Sequence, residues 1–160
     1  MDAQLDRILA EEYLADLPAR SVAELRELRD ECKAVETQLS YLRRLVQGHH
    51  DIVANEIERR GSGGTPSDVG GLVDRLPAIL ADRSRAPGAG RLPSGLEPGE
   101  LSGRLVERLE GITRSGPMRA LDRATDDELA TAEAELQSLE QELSRLRRTL
   151  FDRIDPLQAE

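Results

Sequence analysis

Aromatic residues are almost missing from this chain: its 160 residues include one Phe, two Tyr and no Trp. Aromatic side chains supply much of the bulk of a deep globular core, so a thick core built around them is excluded. Cysteine is nearly absent as well. The single Cys32 rules out an internal disulfide framework and any multi-cysteine metal site, and its place on the apolar stripe described below makes it a buried core thiol. Basic residues are in the minority: 22 Lys and Arg against 31 Asp and Glu leave a net charge of −9. Binding to duplex DNA rests on neutralising phosphates with Lys and Arg, so no direct DNA contact is expected. A basic protein surface, or a small anion held at a local Arg cluster, still suits an acidic chain.

Long apolar runs are also lacking. None approaches the length needed to span a bilayer, and Met1–Ala10 (MDAQLDRILA) is acidic without the apolar stretch of a secretory signal. The expected compartment is the cytosol. There is no Gly-rich phosphate loop, no nucleophile elbow and no His-x-Glu zinc motif, so no enzyme class gains support and the chain is read as a non-enzyme. The two histidines, His49 and His50, are adjacent. On a helix they point about 100° apart, which disfavours a joint metal site.

What is present is leucine, glutamate and arginine, in two blocks. Residues 1–60 contain one proline and one glycine, whereas residues 61–120 hold twelve of the thirteen glycines and six of the eight prolines. Residues 125–160 return to the first texture. The two flanking blocks repeat one another: shifting residues 21–51 by 104 lays them on 125–155. Such an internal duplication is legible in a single sequence. Ser21-Val22-Ala23-Glu24 and Thr125-Asp126-Asp127-Glu128 are both capping boxes, in which hydroxyl and carboxylate satisfy the first orphan N–H groups of a helix. Downstream, Glu36, Leu39, Ser40, Leu42, Arg43 and Arg44 fall on Glu140, Leu143, Ser144, Leu146, Arg147 and Arg148.

Each block keeps an apolar heptad. In the first it runs Leu25, Leu28, Cys32, Val35, Leu39, Leu42, Val46, His49, Val53; in the second, Leu129, Ala132, Leu136, Leu139, Leu143, Leu146, Leu150, Arg153, Leu157. Steps alternating between 3 and 4 are the pattern of a coiled-coil seam. The expected fold is therefore all-α, with two long helices paired as an intramolecular coiled coil. The long connection allows either orientation, and antiparallel is favoured because it relates the repeats by a local twofold axis. The chain is read as a single helical domain over 1–160: a short helix over 3–17, a long helix over 21–60, a flexible connection over 61–124, and a second long helix over 125–158. Within the connection, Leu72–Leu80 is a weak helix candidate, and a helix near 100–112 is a better one. There Leu101, Leu105, Leu109 and Ile112 share a face. The Gly- and Pro-rich stretch Arg83–Pro98 is expected to be mobile.

Beside the first seam lie Glu36, Ser40, Arg43, Gln47 and Asp51. At about 100° per residue they occupy one face along roughly 22 Å of helix, and they offer carboxylates, a hydroxyl, a guanidinium and an amide. The second block repeats the strip with Glu140, Ser144, Arg147 and Asp155, but Phe151 stands where the Gln would fall. Charges in such positions usually form solvated faces with weak pairs. Solvation gives no reason, however, to keep a Ser between a Glu and an Arg at the same register twice.

The pattern Glu-x3-Ser-x2-Arg-x3-Gln-x3-Asp, met in full from Glu36 to Asp51, resembles the cyclic-di-GMP signature of the RsiG family of actinobacterial anti-sigma factors. Leu39-Ser40-Tyr41-Leu42-Arg43-Arg44-Leu45-Val46-Gln47-Gly48 is similar to that family's first helix. The resemblance implies an anti-sigma factor whose paired helices hold an intercalated pair of cyclic-di-GMP molecules and which, once loaded, sequesters a WhiG-type sporulation sigma factor from RNA polymerase. It also implies ligand contacts at the nine strip residues. Their chemistry suits the ligand: Arg43 and Arg147 match guanine O6 and N7 or a phosphate, Glu36, Asp51, Glu140 and Asp155 can accept from guanine N–H groups, and Ser40, Ser144 and Gln47 add hydrogen bonds. Phe151 leaves two roles open, stacking on a base or packing on Leu150 and the connection. The rival reading is a structural or adaptor coiled coil with no nucleotide ligand.

Overall fold

The computed structural model describes residues 2–63, 103–115 and 117–159. The expected helix at Leu72–Leu80, the stretch Arg83–Pro98 and Leu101 lie outside the described residues. What is described is helical throughout: α1 (Asp2–Leu9), α2 (Val22–Gly61), α3 (Arg104–Ser115) and α4 (Asp126–Ala159), with short 3-10 turns at Glu11–Leu14, Leu17–Ala19 and Pro117–Arg119.

Both long helices start where their capping boxes predict. The Ser21 amide donates to Glu24 Oε2 at 2.7 Å, and the Glu24 amide donates back to Ser21 Oγ at 3.3 Å. At α4 the same exchange joins Thr125 and Glu128, at 2.8 and 3.2 Å. Reciprocal capping of this kind fixes a helix start to a single residue.

The two long helices share one core. From α2 it takes Leu25, Cys32, Val35, Leu39, Leu42, Val46 and Val53; from α4 it takes Leu129, Ala132, Leu136, Leu139, Leu143, Leu150, Ile154 and Leu157. Leu28 and Leu146 pack against this cluster while partly exposed. Polar partners along α2 meet α4 in descending order: Glu36 with Arg147, Arg43 with Glu140, Arg60 with Asp126. Arg60 also donates to the carbonyls of Leu121 at 2.6 Å and Ala124 at 2.7 Å, tying the last turns of α2 to the approach to α4.

Near the end of α4 the seam departs from the strict heptad. The buried residue is Ile154 rather than Arg153. A helix of 3.6 residues per turn drifts against a 3.5-residue repeat, so the next position rotates inward. Arg153 is left beside the core and finds other work: its guanidinium donates to the carbonyls of Leu9 at 3.1 Å and Ala10 at 3.2 Å. The Leu9 carbonyl is one that a helix end leaves without an internal partner, while the Ala10 carbonyl also accepts from the Tyr13 amide at 3.2 Å.

That contact accounts for the main difference from the sequence expectation. In place of one helix over 3–17, α1 stops at Leu9, Ala10 is extended, and the chain proceeds through two 3-10 turns with Asp16 in the left-handed region at φ 56°. Leu5 and Ile8 are fully buried by α1, while Tyr13 is buried by the turn that follows. Its hydroxyl donates to the Leu28 carbonyl at 2.9 Å and lies 3.0 Å from Glu31 Oε2. A continuous helix could not place Ile8 and Tyr13 this way and also present the Leu9 and Ala10 carbonyls to Arg153.

The α3 helix buries Leu105, Leu109 and Ile112, the face its spacing predicts. Its start is capped from the other end of the chain: the Arg104 amide donates to Asp2 Oδ2 at 2.8 Å. Gly103 precedes it at φ +128°, and a Cβ there would stand 2.6 Å from Asp2 Oδ1. Residues with a side chain adopt that dihedral only under strain, so glycine suits the position. No helix among the described residues is long and apolar enough to cross a membrane.

Candidate functional site: two clusters shared between α2 and α4

The repeated polar strip does not form two separate faces. It interlocks. Arg147 of α4 donates from Nε and Nη2 to Glu36 Oε1 of α2, at 3.0 and 2.8 Å. Ser40, one turn along α2, donates to the same oxygen at 2.5 Å. Across the local symmetry, Arg43 of α2 donates from Nη1 to Glu140 Oε1 of α4 at 2.9 Å, and Ser144 donates to that oxygen at 2.9 Å. Each cluster thus takes its Glu and Ser from one helix and its Arg from the other.

The duplication makes this possible. Shifted by 104, Glu36 becomes Glu140 and Arg43 becomes Arg147. When α4 is met in descending order, the Glu of each copy falls opposite the Arg of the other. A Glu and Arg seven residues apart are separated by two turns on one face, roughly 10 Å, and so do not pair within their own helix. Sequence spacing identified the residues but not their partners, because spacing reports only neighbours on the same helix.

The clusters are partly shielded. Side-chain exposure is 18% for Glu36 and 22% for Arg147, against 26% and 28% for Glu140 and Arg43. Charge-assisted bonds at this depth exceed surface pairs in strength, yet each pair is still worth only on the order of 1 kcal/mol. Two differences separate the clusters. Arg147 uses Nε on Glu36, whereas Arg43 Nε is buried with no hydrogen-bond partner among the described residues. The Arg147 guanidinium also lies 5.6 Å from the centre of the Phe151 ring, which is 45% exposed.

Gln47 and Asp51 lie one and two turns beyond Arg43 and are half-buried; Asp155 lies two turns beyond Arg147 and is exposed. The structure therefore brings six of the nine strip residues into the two clusters and places the other three farther along the same helices. His50, which the spacing argument set aside as a metal ligand, turns up close enough to Glu140 for its charge to be felt.

Burial pushes the Glu140 carboxyl up, but the hydrogen bonds from Arg43 and Ser144 and the charges of Arg43 and His50 outweigh it and hold the group below its ordinary value of 4.5. A carboxyl depressed in the folded state stabilises the fold above its unfolded value, and that contribution is lost as pH falls through the folded value. Glu31 and Glu56 are depressed too and act in the same direction. Acid unfolding should therefore set in below about pH 4.5, and Glu140→Gln should show a shallower loss of stability there than the wild type. Superimposable pH profiles would mean that the Arg43–Glu140 pair does not hold in solution.

No curated protein matches the chain. Residues 11–80, which hold α2 and the whole of the first motif from Glu36 to Asp51, match the model of the RsiG-like family, the family this stretch resembles.

Proposed function

We propose that the chain is an anti-sigma factor that binds cyclic-di-GMP, as an intercalated pair, on the face carrying the two clusters. Loaded with ligand, it sequesters a WhiG-type sigma factor from core RNA polymerase and represses that factor's regulon. On this reading it is a cytoplasmic, non-catalytic regulator without direct DNA contact, and its two long helices form an antiparallel intramolecular coiled coil. The descending order of partners along α2 and α4 supports that orientation.

One observation carries the reading: the motif residues assemble into two matching Glu–Ser–Arg clusters, exchanged between helices. Cyclic-di-GMP is itself twofold symmetric, so matched half-sites suit it. In the ligand-free chain each guanidinium occupies the carboxylate that guanine N1–H and N2–H would use. Binding then becomes an exchange: the base edge takes the carboxylate, and the released Arg turns to guanine O6 and N7 or to a phosphate. Arg43 Nε, without an acceptor among the described residues, offers one further donor once the guanidinium is released.

The same cross-helix pairs also favour a second reading, a structural coiled coil in which they merely hold α2 to α4. Calorimetric titration of the full chain with cyclic-di-GMP, alone and with a WhiG-type sigma factor, separates the two. The proposal expects ligand binding and a ternary complex with the sigma factor that fails to form without nucleotide. Heat-silent titrations under both conditions leave only the structural role.

A further inference from the structure

We infer that Phe151 is a stacking platform for one guanine base, making the Glu36–Ser40–Arg147 cluster the stronger of two unequal half-sites. The inference rests on the ligand reading above and concerns the one residue at which the second motif departs from the first. Where the first strip has Gln47, the second has Phe151.

Two observations point to a base. The ring is 45% exposed, and among the described residues it is the only aromatic of the three large hydrophobics left in solvent, the others being Val22 and Leu45. An exposed ring on a face otherwise made of charged and polar groups is not serving the core. The ring also stands beside the chemistry: its centre is 5.6 Å from the Arg147 guanidinium, which is itself 2.8 Å from Glu36. A purine laid on the ring would turn its edge toward a guanidinium and a carboxylate, the pair that matches guanine's acceptors and donors. Stacking a guanidinium on a ring also holds it in place before the ligand arrives.

The partner cluster has none of this. Gln47 supplies an amide in place of a ring, and Glu140 is held by Arg43 with no ring beside that guanidinium among the described residues. The half-sites share Glu, Ser and Arg but differ in what lies one turn beyond the Arg. Ligand therefore loads first at Phe151.

The test uses the full chain and cyclic-di-GMP, alone and with the sigma factor present. Phe151→Ala should weaken binding about 5- to 150-fold, the range for one stacked base, with helicity by circular dichroism unchanged because the side chain is exposed. Gln47→Ala should weaken it less. Phe151→Trp should bind within about threefold of wild type, and as the sole Trp of the chain its fluorescence should be quenched by ligand. Wild-type binding with Phe151→Ala unchanged, or Phe151→Trp binding with unaltered emission, overturns the inference while the ligand reading stands. Absence of wild-type binding overturns both.

Discussion

Replacing Arg43 and Arg147 together by alanine should weaken cyclic-di-GMP binding by about 30-fold or more and abolish nucleotide-dependent capture of the sigma factor. The estimate follows from the site. Among the described residues each Arg is the only cation hydrogen-bonded within its cluster, and a bidentate Arg–guanine contact is worth about 1–3 kcal/mol. Two lost contacts together come to about 2–6 kcal/mol, a loss of at least about 30-fold. The helices should survive, because each Arg–Glu pair contributes on the order of 1 kcal/mol against a seam of fully buried leucines.

The carboxylates left behind complicate that comparison, since Glu36 is 18% exposed and would lose its only cationic partner among the described residues. A quadruple variant that adds Glu36→Gln and Glu140→Gln removes the stranded charges. It should recover stability without recovering ligand. If binding returned with stability, the arginines would be props for the fold, and the guanine-contact role assigned to them would be wrong.

The second large effect concerns stability. Leu39 and Leu143 occupy equivalent places in the duplicated blocks, each next to the Ser of its motif, and both are fully or almost fully buried. Truncation of a buried Leu to Ala costs about 2–5 kcal/mol, through lost transfer energy and the cavity left behind. Either Leu39→Ala or Leu143→Ala should therefore remove a large part of the roughly 5–15 kcal/mol that holds a typical domain together. Urea unfolding followed by circular dichroism measures the loss directly. Val22→Ala is the control, since Val22 is 59% exposed and its truncation should shift stability by no more than about 0.5 kcal/mol. Equal, small effects at all three positions would show that the seam is not what joins α2 to α4.

Much of the fold was legible because it is written locally. The capping boxes at Ser21 and Thr125 set both helix starts, and the 3–4 spacing of Leu25 to Val53 and Leu129 to Leu157 marked the core. The α3 face followed from Leu105, Leu109 and Ile112 in the same way. What escaped was tertiary. The break after Leu9 depends on Arg153, more than 140 positions away, and on the Tyr13 hydroxyl reaching Leu28 and Glu31. Neither partner can be found from periodicity within residues 3–17. The site divides along the same line. Glu36, Ser40 and Arg43 were identifiable as a strip because their spacing is helical, but their bonding partners depend on how α2 slides against α4. That relation is a property of two helices together.

One motif, then, is not one site. Because the Glu of each copy closes on the Arg of the other, a lesion pair within a single helix, such as Glu36 with Arg43, breaches both clusters at once. A diagonal pair, Glu36 with Arg147, leaves Glu140, Ser144 and Arg43 whole. Alleles in this protein therefore sort by crossing from helix to helix, and those grouped by sequence motif alone would be assigned to the wrong half.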